Sequence, residues 1–260
     1  MKVYDPIKLV PLVRQMIQDG KLSKILYTYM PVEKIEERVI PILQECKLWF
    51  SSPIYFNDPF DCKIYPHIPN SEELAFYLAN NAENATHKDY ENIREGIEIA
   101  GKSVAKQAID RVFNKSGVKC FTQNNTNILM WSHYTNSHKG ICLEFDVSND
   151  PAFFVYPIRV VYSERYPQLE FTDKSFTKEV LRTKAKVWEY EQEVRICKPN
   201  YGYHYFNPKA LKSIIFGCNI SSENKNIIME TVRRNHSLDH LAFFACKPNS
   251  SQFKLDILPL

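Results

Sequence analysis

The sequence predicts an α+β fold: a mixed, largely antiparallel sheet core with a helical insertion at about residues 71–117. Three observations carry that expectation. Short apolar, β-branched and aromatic runs recur along the chain, as in Ser23–Met30 (SKILYTYM), Gly140–Phe145 (GICLEF) and Ser213–Phe216 (SIIF). Apolar residues at helical spacing occupy only a few, unevenly placed segments. Strands and helices therefore do not alternate as a doubly wound parallel sheet requires. With 44% hydrophobic and 24% charged residues, the 260-residue chain reads as one globular domain, 1–260.

The elements follow in order. Leu9, Val13, Met16 and Ile17 fall at helical spacing. Ser23–Met30 places Ile25, Tyr27 and Tyr29 on one strand face, and Pro31 ends it. Val32, Ile35, Val39, Ile42 and Leu43 make an amphipathic helix that Pro41 kinks or shortens. Lys47–Ser51 is a short strand, followed by the turn-rich SSPIYFNDPFD. Ser71 caps the insertion, with Glu72 and Glu73 in the first turn. Ile93, Ile97, Ala100, Val104, Ala108 and Val112 then recur at steps of three and four, a long helix ending near 114–117. Val118–Thr122, Gly140–Phe145, Arg159–Tyr162 and Val187–Ile196 read as strands. Ser213–Phe216 is stopped by Gly217, Ser221 or Ser222 caps a helix through Ile227, Ile228 and Val232, and strands at Ala242–Cys246 and Phe253–Ile257 close the chain.

Composition excludes several classes. There are seven glycines, under half the usual ~7%, and no two form G-x-G, so a Rossmann fingerprint is absent. Residues 96–103 (GIEIAGKS) match the formal P-loop pattern. The preceding HKDYENIRE is too polar for a central strand, however, and Ile97, Ala100 and Val104 continue the helical stripe. The net charge of +3 does not by itself call for nucleic acid or membrane. Seven scattered cysteines, none in C-x-x-C, read as buried reduced thiols. The first 20 residues lack the apolar core of a signal peptide, and no run is long enough to span a membrane, so a cytoplasmic location is expected. His236-x-x-x-His240 has helical ligand spacing without the acid of an H-E-x-x-H motif or a nearby Cys partner of known spacing, so no metal site is expected.

Three blocks carry the candidate chemistry. In Phe56–Asp61 (FNDPFD), Asn57, Asp58 and Asp61 either fix a rigid turn or face a cleft. In Met130–Tyr134 (MWSHY), Trp131 and Tyr134 suit packing or ligand stacking, and His133 suits hydrogen bonding or proton transfer. In Lys186–Arg195, a strand would put Glu189, Glu191, Glu193 and Arg195 on one face. Like charges in a row are unfavourable unless solvent or cations such as Lys184, Lys186 and Arg195 relieve them. The alternative is a carboxylate pair of split pKa suited to acid–base work.

Together the blocks resemble a widespread bacterial family of unknown function. Its members carry FNDPFD, a Cys-Phe strand (Cys120–Phe121), Met-Trp-x-His-Tyr running into H-K-G-I-C-x-E-F-D, and Lys-x-Trp-x-Tyr-Glu-x-Glu-x-Arg. An arginine commonly ends the family's first strand, where Met30 stands here. The motif order is also similar to that of ADP-ribosyltransferases: a first strand, an aromatic-serine strand (Trp49-Phe50-Ser51), and a late strand with Glu191-x-Glu193. That resemblance implies NAD as substrate and a macromolecular target, in stress or phage defence. Glu193 would stabilise the oxocarbenium-like state and Glu191 would orient the acceptor. Tyr27, Tyr29 or Trp131 would stack on nicotinamide, with Ser51, Asn57, Asp58, Asp61, His133, Tyr134, Lys186 and Arg195 completing the binding site.

Two other readings stand beside it. A metal-dependent nuclease or phosphoesterase would hold Mg²⁺ on Asp58, Asp61, Glu191 and Glu193, with Lys186 or His133 near the phosphate. A non-catalytic nucleic-acid-binding or sensor module would use the basic run Lys174, Lys178, Arg182, Lys184 and Lys186.

Overall fold

The computed structural model describes residues 5–67, 87–170 and 174–260. The expected Ser71 cap, with Glu72 and Glu73, lies outside them. The described helices are α1 (Val10–Gln18), α2 (Ile35–Arg38), α3 (Ile40–Glu45), α4 (His87–Lys115), α5 (Ile128–Tyr134), α6 (Phe176–Arg182) and α7 (Ser222–Arg233). The strands are β1 (Ile25–Met30), β2 (Lys47–Phe50), β3 (Tyr65–His67), β4 (Gly117–Thr122), β5 (Ile141–Asp146), β6 (Pro157–Arg159) and β7 (Val161–Ser163). They continue with β8 (Gln168–Glu170), β9 (Thr183–Ala185), β10 (Glu193–Lys198), β11 (Gly202–Tyr205), β12 (Leu211–Phe216), β13 (Ala242–Pro248) and β14 (Leu255–Pro259).

Eight strands form one sheet in the order β14-β13-β12-β5-β1-β4-β10-β6. Every neighbouring pair in it is antiparallel except β12 with β13, which are joined through α7. The α+β expectation, with a mixed and mostly antiparallel sheet, therefore holds. No helix among the described residues is long and apolar enough to cross a membrane.

The period-2 rule sorts the two faces of this sheet. One face is mostly apolar: Leu26 and Met30 of β1, Phe121 of β4, Leu143 and Phe145 of β5, and Val194 and Ile196 of β10 join a single buried cluster. The other face is divided. Tyr29, Cys142 and Ile215 belong to one apolar cluster, with Trp131 of α5. Val118, Ile158 and Cys197 belong to another, with Phe176, Val180 and Leu181 around α6 and Val112 of α4.

Several local expectations change. The helix expected over Val32–Leu43 is two short helices broken at Val39, because Pro41 falls in the first turn of α3, where no donor is needed. Arg159–Tyr162 splits between two sheets at Val160, whose N–H is spent on Glu193 O at 3.1 Å. Gly96 and Lys102 lie inside α4, where Lys102 pairs with Glu98 at 2.6 Å, so the P-loop look-alike is a helix surface. All seven thiols are free, but Cys120 is exposed and Cys218 half-buried rather than buried.

The largest correction concerns Val187–Ile196. Lys186–Glu191 winds into a 3-10 turn, Gln192 adopts a left-handed conformation (φ 48°), and only Glu193 begins the strand. Glu189 therefore leaves the face that alternation assigned to it, and it pairs in solvent with Lys186 at 2.7 Å.

Candidate active site

Register builds the floor of the site. Tyr27 of β1 pairs with Thr122 of β4, and Thr122 pairs with Glu193 of β10, so one row crosses three strands on the divided face. Arg195, two residues along β10, lies on the same face. The left-handed Gln192 turns the chain so that Glu191 comes back beside Glu193. Thr122 fixes that return by donating its hydroxyl to the Glu191 carbonyl at 2.6 Å. Tyr162 accepts the Glu193 N–H at 2.8 Å.

Five charged groups meet there. Lys184, just after α6, contacts Glu191 and reaches Glu193 at 2.9 Å and Asp61 at 3.8 Å. Arg195 donates to Glu193 from Nε at 2.7 Å and to both Asp61 oxygens at 2.7 and 2.9 Å. Its remaining donors go to the Leu181 carbonyl at 2.8 Å and to Cys62 Sγ at 3.0 Å. Arg195 is 0% exposed, Glu191 2% and Glu193 3%, so three carboxylates face two cations away from water.

That imbalance splits the two glutamates. Burial alone would raise both carboxyls. At Glu193 it is outweighed by Arg195 and then Lys184, which hold the group well below the usual carboxylate range. At Glu191 burial wins: Lys184 offsets only part of it and Glu193 adds repulsion, so the carboxyl is raised. Tyr134 donates its hydroxyl to Glu191 at 2.6 Å. One carboxylate stays ionised while its neighbour holds a proton more readily, the arrangement that acid–base chemistry uses.

The pair opens on a small cleft of about 90 Å³. Its walls include Tyr27, Tyr29, Tyr134, Asn57 and Cys120, with Asp61, Lys184, Glu191 and Glu193 among the polar lining. Sites for drug-sized ligands run to about 300–1,000 Å³, so this one admits a single ring or small group. Burial pushes the Tyr27 hydroxyl up to about 12, with Glu144 adding to it, so the ring meets a ligand uncharged.

Behind the walls, α5 supplies rigidity. Asn127 caps it by accepting from the Leu129 and Met130 amides at 2.9 and 3.2 Å, and donates to the Tyr190 carbonyl at 3.1 Å. Trp131 is 0% exposed, with its indole on the Asn125 carbonyl at 2.8 Å and Tyr29 edge-on at 5.1 Å. A turn through Asn136, Ser137 and His138, all at positive φ, returns the chain to β5. Gly140 follows, where a Cβ would lie 2.2 Å from the Met30 carbonyl oxygen, so only glycine lets β5 begin against β1.

The candidates from sequence divide accordingly. Tyr27, Tyr29, Asn57, Asp61, Tyr134, Glu191 and Glu193 line the cleft, and Arg195 supports it from beneath. Trp131 is core behind Tyr29 rather than a stacking surface. His133 is exposed, with Nδ1 2.9 Å from the Tyr190 hydroxyl, and Lys186 is occupied by Glu189. Asp58 fixes a turn, accepting from the Phe60 amide at 2.8 Å and the Trp188 indole at 2.7 Å. Ser51 makes a backbone bridge to Val118. None of these five lines the cleft, because each has a structural partner elsewhere. The sequence reading missed Thr122, Tyr162 and Cys62, and treated Lys184 as a counter-charge without placing it in the site. Lys184 carried one signal, its position among the few cations able to relieve adjacent glutamates.

Residues 130–196 match the model of a family described as a protein of unknown function (DUF2971). The matched segment holds Tyr134, Lys184, Glu191, Glu193 and Arg195, and leaves Asn57 and Asp61 outside it. No curated protein and no solved structure matches the chain.

Proposed function

We propose that the protein is an ADP-ribosyltransferase-like enzyme that breaks the nicotinamide–ribose bond of NAD and passes the ribosyl group to an acceptor on a macromolecular target. The observation that carries the reading is the buried pair Glu191 and Glu193, shifted in opposite directions at the floor of a tyrosine-walled cleft. The chemistry fits such a pair. As the C–N bond breaks, nicotinamide leaves with the electron pair and positive charge grows on the ribosyl ring. Glu193, held ionised, opposes that charge from a site that needs no reorganisation. Glu191, with its raised proton affinity, takes the proton of the attacking acceptor. Tyr27 and Tyr29 offer rings to the nicotinamide, and Asn57 stands exposed at the cleft. The cleft's volume suits the nicotinamide end alone, so the rest of the dinucleotide lies outside it.

The Mg²⁺-dependent nuclease reading has less support. Asp58 is committed to Trp188 and the Phe60 amide, while Asp61, Glu191 and Glu193 already hold Lys184 or Arg195. The nucleic-acid reading loses its continuous stripe, since Lys184 is buried and Arg182 and Lys186 pair with Glu179 and Glu189.

The test is release of nicotinamide from NAD in cell extract, comparing the wild-type chain with Glu193→Gln and Glu191→Gln variants. Release by the wild type, cut about 100-fold or more by Glu193→Gln in a protein that still melts cooperatively, is expected. An absence of release by the wild type defeats the reading.

A further inference from the structure

A second, wider cavity lies away from this chemistry. It measures about 890 Å³ and shares no lining residue with the carboxylate cleft. It opens between α1, the C-terminal half of α4, α6 and the end of β10. Its walls are apolar, with Leu12, Val13, Val112, Ile158, Phe176 and Leu181 among them. Leu12 keeps 57% of its surface exposed there, a costly arrangement for an unfilled leucine. Among the described residues the charged lining is of one sign: Arg111, Lys115, Lys174, Lys178 and Lys198, with no carboxylate. Lys198 directs its ammonium to the Phe153 carbonyl, so it belongs to the sheet's apolar face. The other four are exposed, and none has an ion pair among the described residues.

We propose that this cavity binds a soluble single-chain amphiphilic anion, its apolar chain against Leu12, Val112 and Phe176 and its phosphate or carboxylate head on Arg111, Lys115, Lys174 and Lys178. The volume lies in the range of small-molecule sites. Spacing gathers the cations: Arg111 and Lys115 are one helical turn apart on α4, while Lys174 just precedes the Ser175 cap of α6 and Lys178 lies in that helix's first turn. A cavity with an apolar interior and an uncompensated cationic lining rejects a cation and gains little from a small hydrophilic anion. It suits a molecule that carries both features.

Calorimetric titration of the full chain tests this, with decyl phosphate kept below its micelle concentration. Inorganic phosphate, decanol, decyltrimethylammonium and anionic phosphatidylglycerol vesicles serve as comparison ligands. The expected result is saturable one-to-one binding of decyl phosphate in the micromolar range, weakened about tenfold or more in Lys174→Glu/Lys178→Glu and in Leu12→Glu, a change of about 1.4 kcal/mol or more. Both variants alter exposed side chains, and an unchanged melting temperature confirms their fold. The proposal is overturned if decyl phosphate does not bind, if inorganic phosphate or decyltrimethylammonium binds as tightly, if neither variant weakens binding, or if only vesicles are bound.

Discussion

Arg195 places all its donors on protein atoms while having no exposed surface. A buried guanidinium is tolerated only when its neighbours replace water completely. Here they do, through two carboxylates, a carbonyl and a thiol. Removing it strands Asp61 and Glu193 with Lys184 as their sole cation, so Arg195→Met lowers unfolding free energy by about 3–5 kcal/mol, measured by urea denaturation. A loss below about 1 kcal/mol refutes that account of the network. Glu191 behaves oppositely. Its raised carboxyl means that the native state prefers the protonated form. The stability this contributes is fully present below the usual 4.5 and is lost as pH rises through the native value. Glu191→Gln fixes a neutral group there. Its melting temperature minus that of the wild type therefore grows as pH rises from 4.5 towards neutrality. A constant or shrinking difference shows that Glu191 is not the strained member of the pair.

The segment Lys186–Lys198 shows how an element can mislead its reader. Alternation of charge and apolarity was real, and period two fits a strand, but the first six residues wind into a 3-10 turn. The deciding residue is Gln192, whose left-handed backbone has no composition signal, since left-handed positions usually announce themselves as Gly, Asn or Asp. Gln192→Val should therefore cost about 1–2 kcal/mol, because a β-branched residue resists positive φ, while Gln192→Gly leaves stability within about 1 kcal/mol. Chemical denaturation of both variants checks this, and equal losses in the two would mean that backbone conformation is not the cause. Other elements were legible because local and tertiary signals agreed. Ile25–Met30 is a run rich in β-formers that pairs along its whole length with β5. Ser221, one of the two serines expected to cap α7, does so by accepting from the Asn224 amide at 3.2 Å. The site was legible in its residue types, which named Asp61, Tyr134, Glu191, Glu193 and Arg195. It was not legible in its partition from Asp58, His133 and Lys186, because hydrogen bonds across more than fifty residues spend the first two and the unforeseen 3-10 turn brings Glu189 onto Lys186.

At the scale of the whole molecule, one continuous apolar face and one divided face explain where the polar chemistry sits. The ionic cluster occupies the gap between the two smaller apolar clusters, where neither can close over it. The same burial gives the molecule an alkaline limit. Cys46, Cys62, Cys142, Cys197, Cys218 and Cys246 all have thiols raised above the usual 9.0, with burial the leading cause. Each contributes stability that is complete below about pH 9 and declines as pH rises towards its native value, since the unfolded chain ionises first. Lys198 acts with the opposite sign. Burial lowers its ammonium to about 8 from the usual 10.5, so the unfolded chain binds the extra proton between those values and stability rises there. Burial lowers the Lys119 ammonium as well, so two lysines stand against the six thiols and the sum is a fall. Under reducing conditions, unfolding free energy should drop between pH 9 and 10. Lys198→Met should make that drop steeper, because its rising contribution is gone. A wild-type stability that is flat or rising across this interval would mean that the thiols are not held in a dry interior.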